Sequence, residues 1–250
     1  ASGVMDLSAG SIVSLCGVLT ALALHAGMGI AESCLICIAA GGLMGGLNGV
    51  LIHCTGINFF VLTLASSGML RGVSLMITDG KPVTKFGKEF MQLGIGRIGE
   101  LQLPVLFALA LILISFPLLF HTKLGNYIQA LGGSETALKR AGVRTGFYRI
   151  FVHVFLGITA AVTAIIITAR LNSAEPNAGM NMEFDAVTAV IMGGTPIRGG
   201  TASITGTVLA VLILGIIRNG LTLLSVSSDF QQWITGFLLL ASVLISEIKV

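Results

Sequence analysis

Charge is scarce in this sequence: 10% of its 250 residues are Asp, Glu, Lys or Arg, against about 25% in a soluble domain. A compact chain with so few charges could not cover a water-facing surface. With 54% hydrophobic residues and a mean hydropathy of +0.97, gathered in long blocks, the solvent is lipid. Enzymatic signatures are missing too. There is no GxSxG, no HExxH and no acid–His pairing on one helix, and His25, His53, His121 and His153 are dispersed. Without a GxxxxGK[ST] loop, the chain does not bind ATP through that device. The net charge of +3 is too small and scattered to suggest nucleic acid. Cys34 and Cys37 form a CxxC pair, but no His or acid stands at zinc spacing, so both read as small packing residues. All eleven acids fall in loops or at span ends, as with Asp6, Glu32, Asp185 and Asp229. Proton-coupled carriers use acids inside the membrane, so a proton-driven mechanism loses support.

What is present is a series of apolar runs of about 17–25 residues, each long enough to span a bilayer. They are Ser11–Gly27, Ser33–His53, Asn58–Ile77, Leu103–Phe120, Ile150–Ala169, Ile204–Leu224 and Phe230–Ser246. An eighth, Phe184–Ser203, is interrupted by Gly193-Gly194-Thr195-Pro196-Ile197-Arg198-Gly199-Gly200. A helix cannot run smoothly through that stretch. It reads as a broken helix shielded from lipid, either crossing or re-entering. The expected fold is therefore an all-α polytopic bundle with about eight crossings, forming one transmembrane domain over residues 1–250.

Orientation follows the cations. The connection His121–Arg149 holds Lys123, Lys139, Arg140, Arg144 and Arg149 against Glu135 alone, whereas Leu171–Asp185 holds only acids. The positive-inside rule places the first in the cytoplasm and the second outside. Thr78–Gln102 carries Lys81, Lys85, Lys88 and Arg97 and goes outside by parity. A crossing at the broken helix would leave Lys249 and the C-terminus in the cytoplasm. Asn48-Gly49 followed by Phe59, and Asn219-Gly220 followed by Phe230, share one spacing. With an odd number of crossings between them, they suggest an inverted repeat.

Within the spans, Gly41, Gly45 and Gly49 recur at i, i+4 and form a groove for close helix packing. Asn48 and Asn219 need partners at membrane depth, supplied either by another helix or by a polar solute. Arg71 and Arg218 are the cations well inside spans, placed where snorkelling to the interface competes with a role in a path. The segment Leu124–Val143 is the most informative. Gly132-Gly133 breaks it, Ser134 can cap a helix starting at Glu135, and the short basic helix that follows suits either a partner protein or a lipid surface.

That segment resembles the cytoplasmic coupling loop of ATP-binding-cassette importer permeases for ribose, xylose, arabinose and galactosides. Gly132, Gly133, Glu135, Ala137 and Gly142 fit its motif, while Thr136 and Leu138 stand where alanines are more usual. Met5-Asp6-Leu7-Ser8-Ala9-Gly10-Ser11, Gly45–Gly49, Phe59–Leu64, Arg71-Gly72, Gly193-Gly194-Thr195, Gly199-Gly200, Gly206-Thr207 and Asn219-Gly220-Leu221 follow in the family's order.

The resemblance implies a ten-span fold, with about two spans ahead of the Asp6 box, in a bacterial inner membrane. It implies a second permease copy or paralogue, a cytoplasmic ATPase that holds ATP and Mg, and an extracytoplasmic sugar-binding protein, with no cofactor on this chain. Residues 121–149 would be the coupling loop. Asn48, Phe59, Thr63, Arg71 and Asn219 are the residues to test along a translocation path. The competing readings are an ion-coupled secondary transporter and a channel.

Overall fold

The computed structural model describes residues 1–248, so Lys249 lies outside the described residues. Eleven helices are described: α1 (Ala9–His25), α2 (Ile30–Thr55), α3 (Phe59–Thr78), α4 (Lys88–Ile95), α5 (Leu103–Phe120), α6 (Lys123–Gly133), α7 (Glu135–Arg140), α8 (Thr145–Leu171), α9 (Met182–Met192), α10 (Ile204–Leu223) and α11 (Ser228–Ile248). Four two-residue strands accompany them: β1 (Val83–Thr84), β2 (Arg97–Ile98), β3 (Leu101–Gln102) and β4 (Ser173–Ala174). Six helices (α2, α3, α5, α8, α10 and α11) are long and apolar enough to cross a membrane, and α1 and α9 are shorter. The protein is an all-α polytopic membrane protein. Helix ends fall within a few residues of the apolar runs, because span length is set by the hydrocarbon thickness.

Two compact units divide the chain. The first comprises Asp6–Pro117 and Gly146–Met180. At its centre is α1, buried along most of its length and packed against α2 and α3. Small residues make this possible: Cys16 and Ala21 share a core with Cys37 and the alanines Ala160, Ala161 and Ala164. Ser11 bonds Ser67 of α3, and Gly17 lies against Thr168 of α8. Without large side chains between them, backbones come close, which is how helices associate where lipid is as apolar as leucine.

At one end of this unit β1 pairs antiparallel with β4, Val83 opposite Ala174. The His25 imidazole lies 3.0 Å from the Thr84 carbonyl, so the end of α1 joins them. The basic segment after α3 and the acidic segment after α8 thus lie together on one side. The interrupted loop is itself folded: Phe90 of α4 is buried against Phe86, ring edge to ring face.

The second unit comprises Ala1–Met5, Leu118–Thr145 and the chain from Asn181 onward. Here α9 runs antiparallel to α10, since Gly193 abuts Gly206 at one end and Asp185 meets Arg218 at the other. Between them the break is stitched internally: the Ser203 amide donates to Thr195 Oγ1 at 3.1 Å, and the Thr195 amide to the Val190 carbonyl. The break packs on the end of α6, so it lies on the side of the basic segment 121–149.

One expectation is corrected in the first unit. Asp6 precedes α1, yet its carboxylate is 2% exposed and sits against His153 inside α8. An acid does lie among the helices, because the N-terminal segment dips between them before α1 begins.

Candidate functional site

The segment between α5 and α8 is built by caps. Thr122 Oγ1 accepts from the Gly125 amide at 3.2 Å and starts α6. Gly125 sits so close to the Leu118 and Leu119 carbonyls that no Cβ would fit. Helix α6 continues through Gly132 and Gly133, and the break falls one residue later, at the extended Ser134. Ser134 Oγ accepts from the Ala137 amide at 3.2 Å, an N-cap for α7. At the other end Gly142 has φ +77°, with the Val143 amide donating to Leu138 O. This left-handed closure favours glycine.

Glu135 accepts from the Thr145 hydroxyl at 3.2 Å and lies 3.0 Å from Lys139 Nζ. Its carboxylate thereby ties the first turn of α7 to the start of α8. Leu138 is buried beneath the helix, while Lys139, Arg140 and Arg144 remain exposed. The result is a short, rigid, cationic projection with fixed ends.

Gly41, Gly45 and Gly49 lie directly on α8. A Cβ at Gly41 would overlap the Gly157 carbonyl, one at Gly45 the His153 carbonyl, and one at Gly49 would come 2.8 Å from Ile150 Cα. The second row is looser: Gly42 would meet Ile158 Cγ1, and Gly46 would meet Val154 Cγ2, each at 3.3 Å.

This close approach places His153 next to α2 and encloses a polar cluster. His153 Nδ1 donates to Asp6 Oδ2 at 2.7 Å. The Ser8 amide and hydroxyl donate to the other carboxylate oxygen. Asn48 Nδ2 donates to Ser8 Oγ at 2.9 Å, and the Leu7 amide to Thr63 Oγ1 at 3.2 Å. Asp6, Ser8, Asn48, Thr63 and His153 are all buried, and His153 Nε2 has no hydrogen-bond partner. Helix rise places His153 roughly 12 Å, Asn48 roughly 10 Å and Thr63 roughly 6 Å from the nearest ends of α8, α2 and α3.

The remaining polar positions are scattered. Arg71 donates to the Pro176 and Ala178 carbonyls at 3.4 and 3.3 Å, the first of which also accepts from Ser14 Oγ. Arg218 grips Asp185 with two bonds of 2.9 and 2.8 Å, at the edge of an apolar cavity of about 310 Å³ between α9, α10 and α11. Phe59 is half-buried and Asn219 exposed, so the two matched asparagines occupy different surroundings.

Sequence reasoning missed the Asp6–His153 pair. The available signal was an acid abutting an apolar span together with a lone histidine inside another. Their partnership depended on a 147-residue separation that no local pattern encodes.

The fold is that of a helical polytopic membrane protein, with a short capped cationic helix between α5 and α8. Residues 1–243 match the family described as branched-chain amino acid transport system / permease component, and the chain belongs to that family. It is 38% identical to the ribose import permease protein RbsC of Escherichia coli K12, covering 98% of this chain and 78% of that one. It is 34% identical to the D-allose transport system permease protein AlsC of the same strain, over 98% and 75% of the two chains. Identity to its L-arabinose transport system permease protein AraH is also 34%, over 100% and 76%. No solved structure matches this chain.

Proposed function

We propose that this protein is the membrane-spanning permease of an ATP-binding-cassette importer, carrying a monosaccharide across a bacterial inner membrane into the cytoplasm. What carries the reading is similarity along nearly the whole chain to permeases whose names specify ribose, D-allose and L-arabinose. ATP and Mg would be bound by a separate ATPase docking on α7, and a sugar-binding protein would deliver substrate from outside. A second permease copy or paralogue would complete the path.

In this mechanism Glu135, Ala137 and Gly142 fix the shape of the docking projection, and Gly132 and Gly133 lie at its base. Closure of the ATPase dimer pushes on it, and the permeases rock between outward and inward access. Asn219 and Phe59 are accessible enough to meet a sugar directly. Asn48, Thr63 and Arg71 act by holding the walls, since their polar groups are engaged by the protein. Exposed apolar side chains along α2, α3, α5, α10 and α11 meet lipid or the second copy.

The test is reconstitution of the permease with an importer ATPase and a sugar-binding protein from the same organism, followed by uptake of radiolabelled D-ribose, D-allose and L-arabinose. ATP-dependent uptake of one sugar is expected. Uptake driven by a proton gradient without ATP would instead establish an ion-coupled carrier, for which Asp6–His153 would be the proton site.

A further inference from the structure

Gly132 and Gly133 are adjacent and look equivalent in sequence, but their surroundings are opposite. A Cβ at Gly132 would collide with the Ala1 carbonyl and the Gly200 amide nitrogen, and would lie 3.0 Å from the Gly199 carbonyl carbon. At Gly133 it would meet nothing within 4 Å. Gly132 is therefore the point where the end of α6 touches two other segments backbone to backbone.

Those segments also touch each other. Gly3, at φ +70°, lies against the Arg198 carbonyl, and a Cβ placed on it would be 3.6 Å from Gly132 Cα. Gly199, at φ +78°, lies against Gly3. The Gly200 amide donates to the Ala1 carbonyl at 2.9 Å. The coupling segment, the N-terminal segment and the helix break between α9 and α10 thus meet at four glycines, none of which has a side chain to cushion the contact.

We propose that this glycine junction transmits the push on α7 to the break at 193–203, making Gly132 and Gly199 positioning residues for transport. A displacement of α6 presses directly on the Ala1–Gly3 backbone and on Gly199-Gly200. From there it reaches the start of α10 through Gly193 and Gly206, which are themselves in backbone contact. Its backbones are joined by the Gly200–Ala1 hydrogen bond and otherwise meet directly, glycine against backbone, so a displacement of one is felt at once by the others. This inference rests on the importer reading above.

The experiment compares Gly132→Ala with Gly133→Ala in the reconstituted importer, recording D-ribose, D-allose and L-arabinose uptake together with ATP hydrolysis. Gly132→Ala should retain ATPase association and hydrolysis while uptake falls at least tenfold, raising ATP consumed per sugar. Gly133→Ala, at the position where a Cβ meets nothing within 4 Å, should lower uptake far less than Gly132→Ala does. Equal effects of the two substitutions, or unchanged coupling in Gly132→Ala, would overturn the proposal.

If Gly132→Ala does not accumulate, hydrogen exchange of the wild-type complex decides. Protection of residues 194–200 should change between nucleotide-free and vanadate-trapped states together with that of 132–142, and constant protection at 194–200 would overturn it. A wild-type complex that takes up none of the three sugars with ATP removes the importer reading for these sugars, and the junction's role in it.

Discussion

Two stretches at the start of the chain, three residues apart, are held by opposite chemistry. Asp6–Ser8 is fixed by side chains: a carboxylate between an imidazole and a serine, with Asn48 and Thr63 extending the network. Ala1–Gly3 is held backbone to backbone, lying against Gly132 and Gly199 with one backbone bond. Directional hydrogen bonds in a dry interior resist displacement, because breaking one leaves a buried polar group unpaired. Apposed glycine backbones have no such penalty for a small slide. The first kind of contact fixes its members in place, and the second leaves them free to adjust slightly.

Removing Asp6 is the strongest way to break this contrast. Asp6→Ala leaves the His153 and Ser8 donors buried without their shared acceptor, and each buried donor left unsatisfied costs about 1–3 kcal/mol. Thermal unfolding of the purified permease in detergent should show a large fall in midpoint whether or not the ATPase is present. An unchanged midpoint would mean the cluster is no latch.

The helix row beneath the cluster comes next. Gly45→Ala drives a methyl into the His153 carbonyl, and overpacking of this kind costs about 1–3 kcal/mol. Gly46→Ala meets only the tip of Val154 and should remain within about 0.5 kcal/mol of wild type. Similar losses at both positions, read by the same unfolding measurement, would erase the distinction between the two rows.

Asn48→Ala should cost less, about 1 kcal/mol for one net hydrogen bond. A double-mutant cycle with Ser8→Ala should recover most of that as coupling, because the two side chains bond each other. Additive losses would place the function of Asn48 elsewhere. Comparable in size is Thr63→Val, which keeps the shape but leaves the buried Leu7 amide without its acceptor, at about 1 kcal/mol. It should lower the midpoint by a similar amount and leave ATP consumed per sugar unchanged.

Much of the fold was legible beforehand. The ends of Leu103–Phe120 coincide with those of α5, and the Ser134 cap stands where the sequence placed it. Both are local properties, one of run length and one of a side chain three residues from its amide. The helix break at 193–203 was legible as a break, but its direction was not. Where that break packs depends on Gly199 and Gly200 meeting Gly132, residues far apart along the chain. The path candidates show the same limit. Asn48 and Asn219 read alike, yet one is enclosed by Ser8 and the other is exposed.

The sequence alone determined that this protein lives in lipid, where its spans begin and end, and where its cationic projection lies. Those follow from apolar run length, charge placement and capping residues, each set within a few positions along the chain. Tertiary structure alone decided which acid meets which histidine and which of two neighbouring glycines is jammed. It also decided that three remote segments share one backbone junction. In a bilayer the apolar surfaces are nearly interchangeable with lipid, so the specific pairings come from close backbone approach and buried polar contacts. Those depend on helices far apart in sequence arriving side by side.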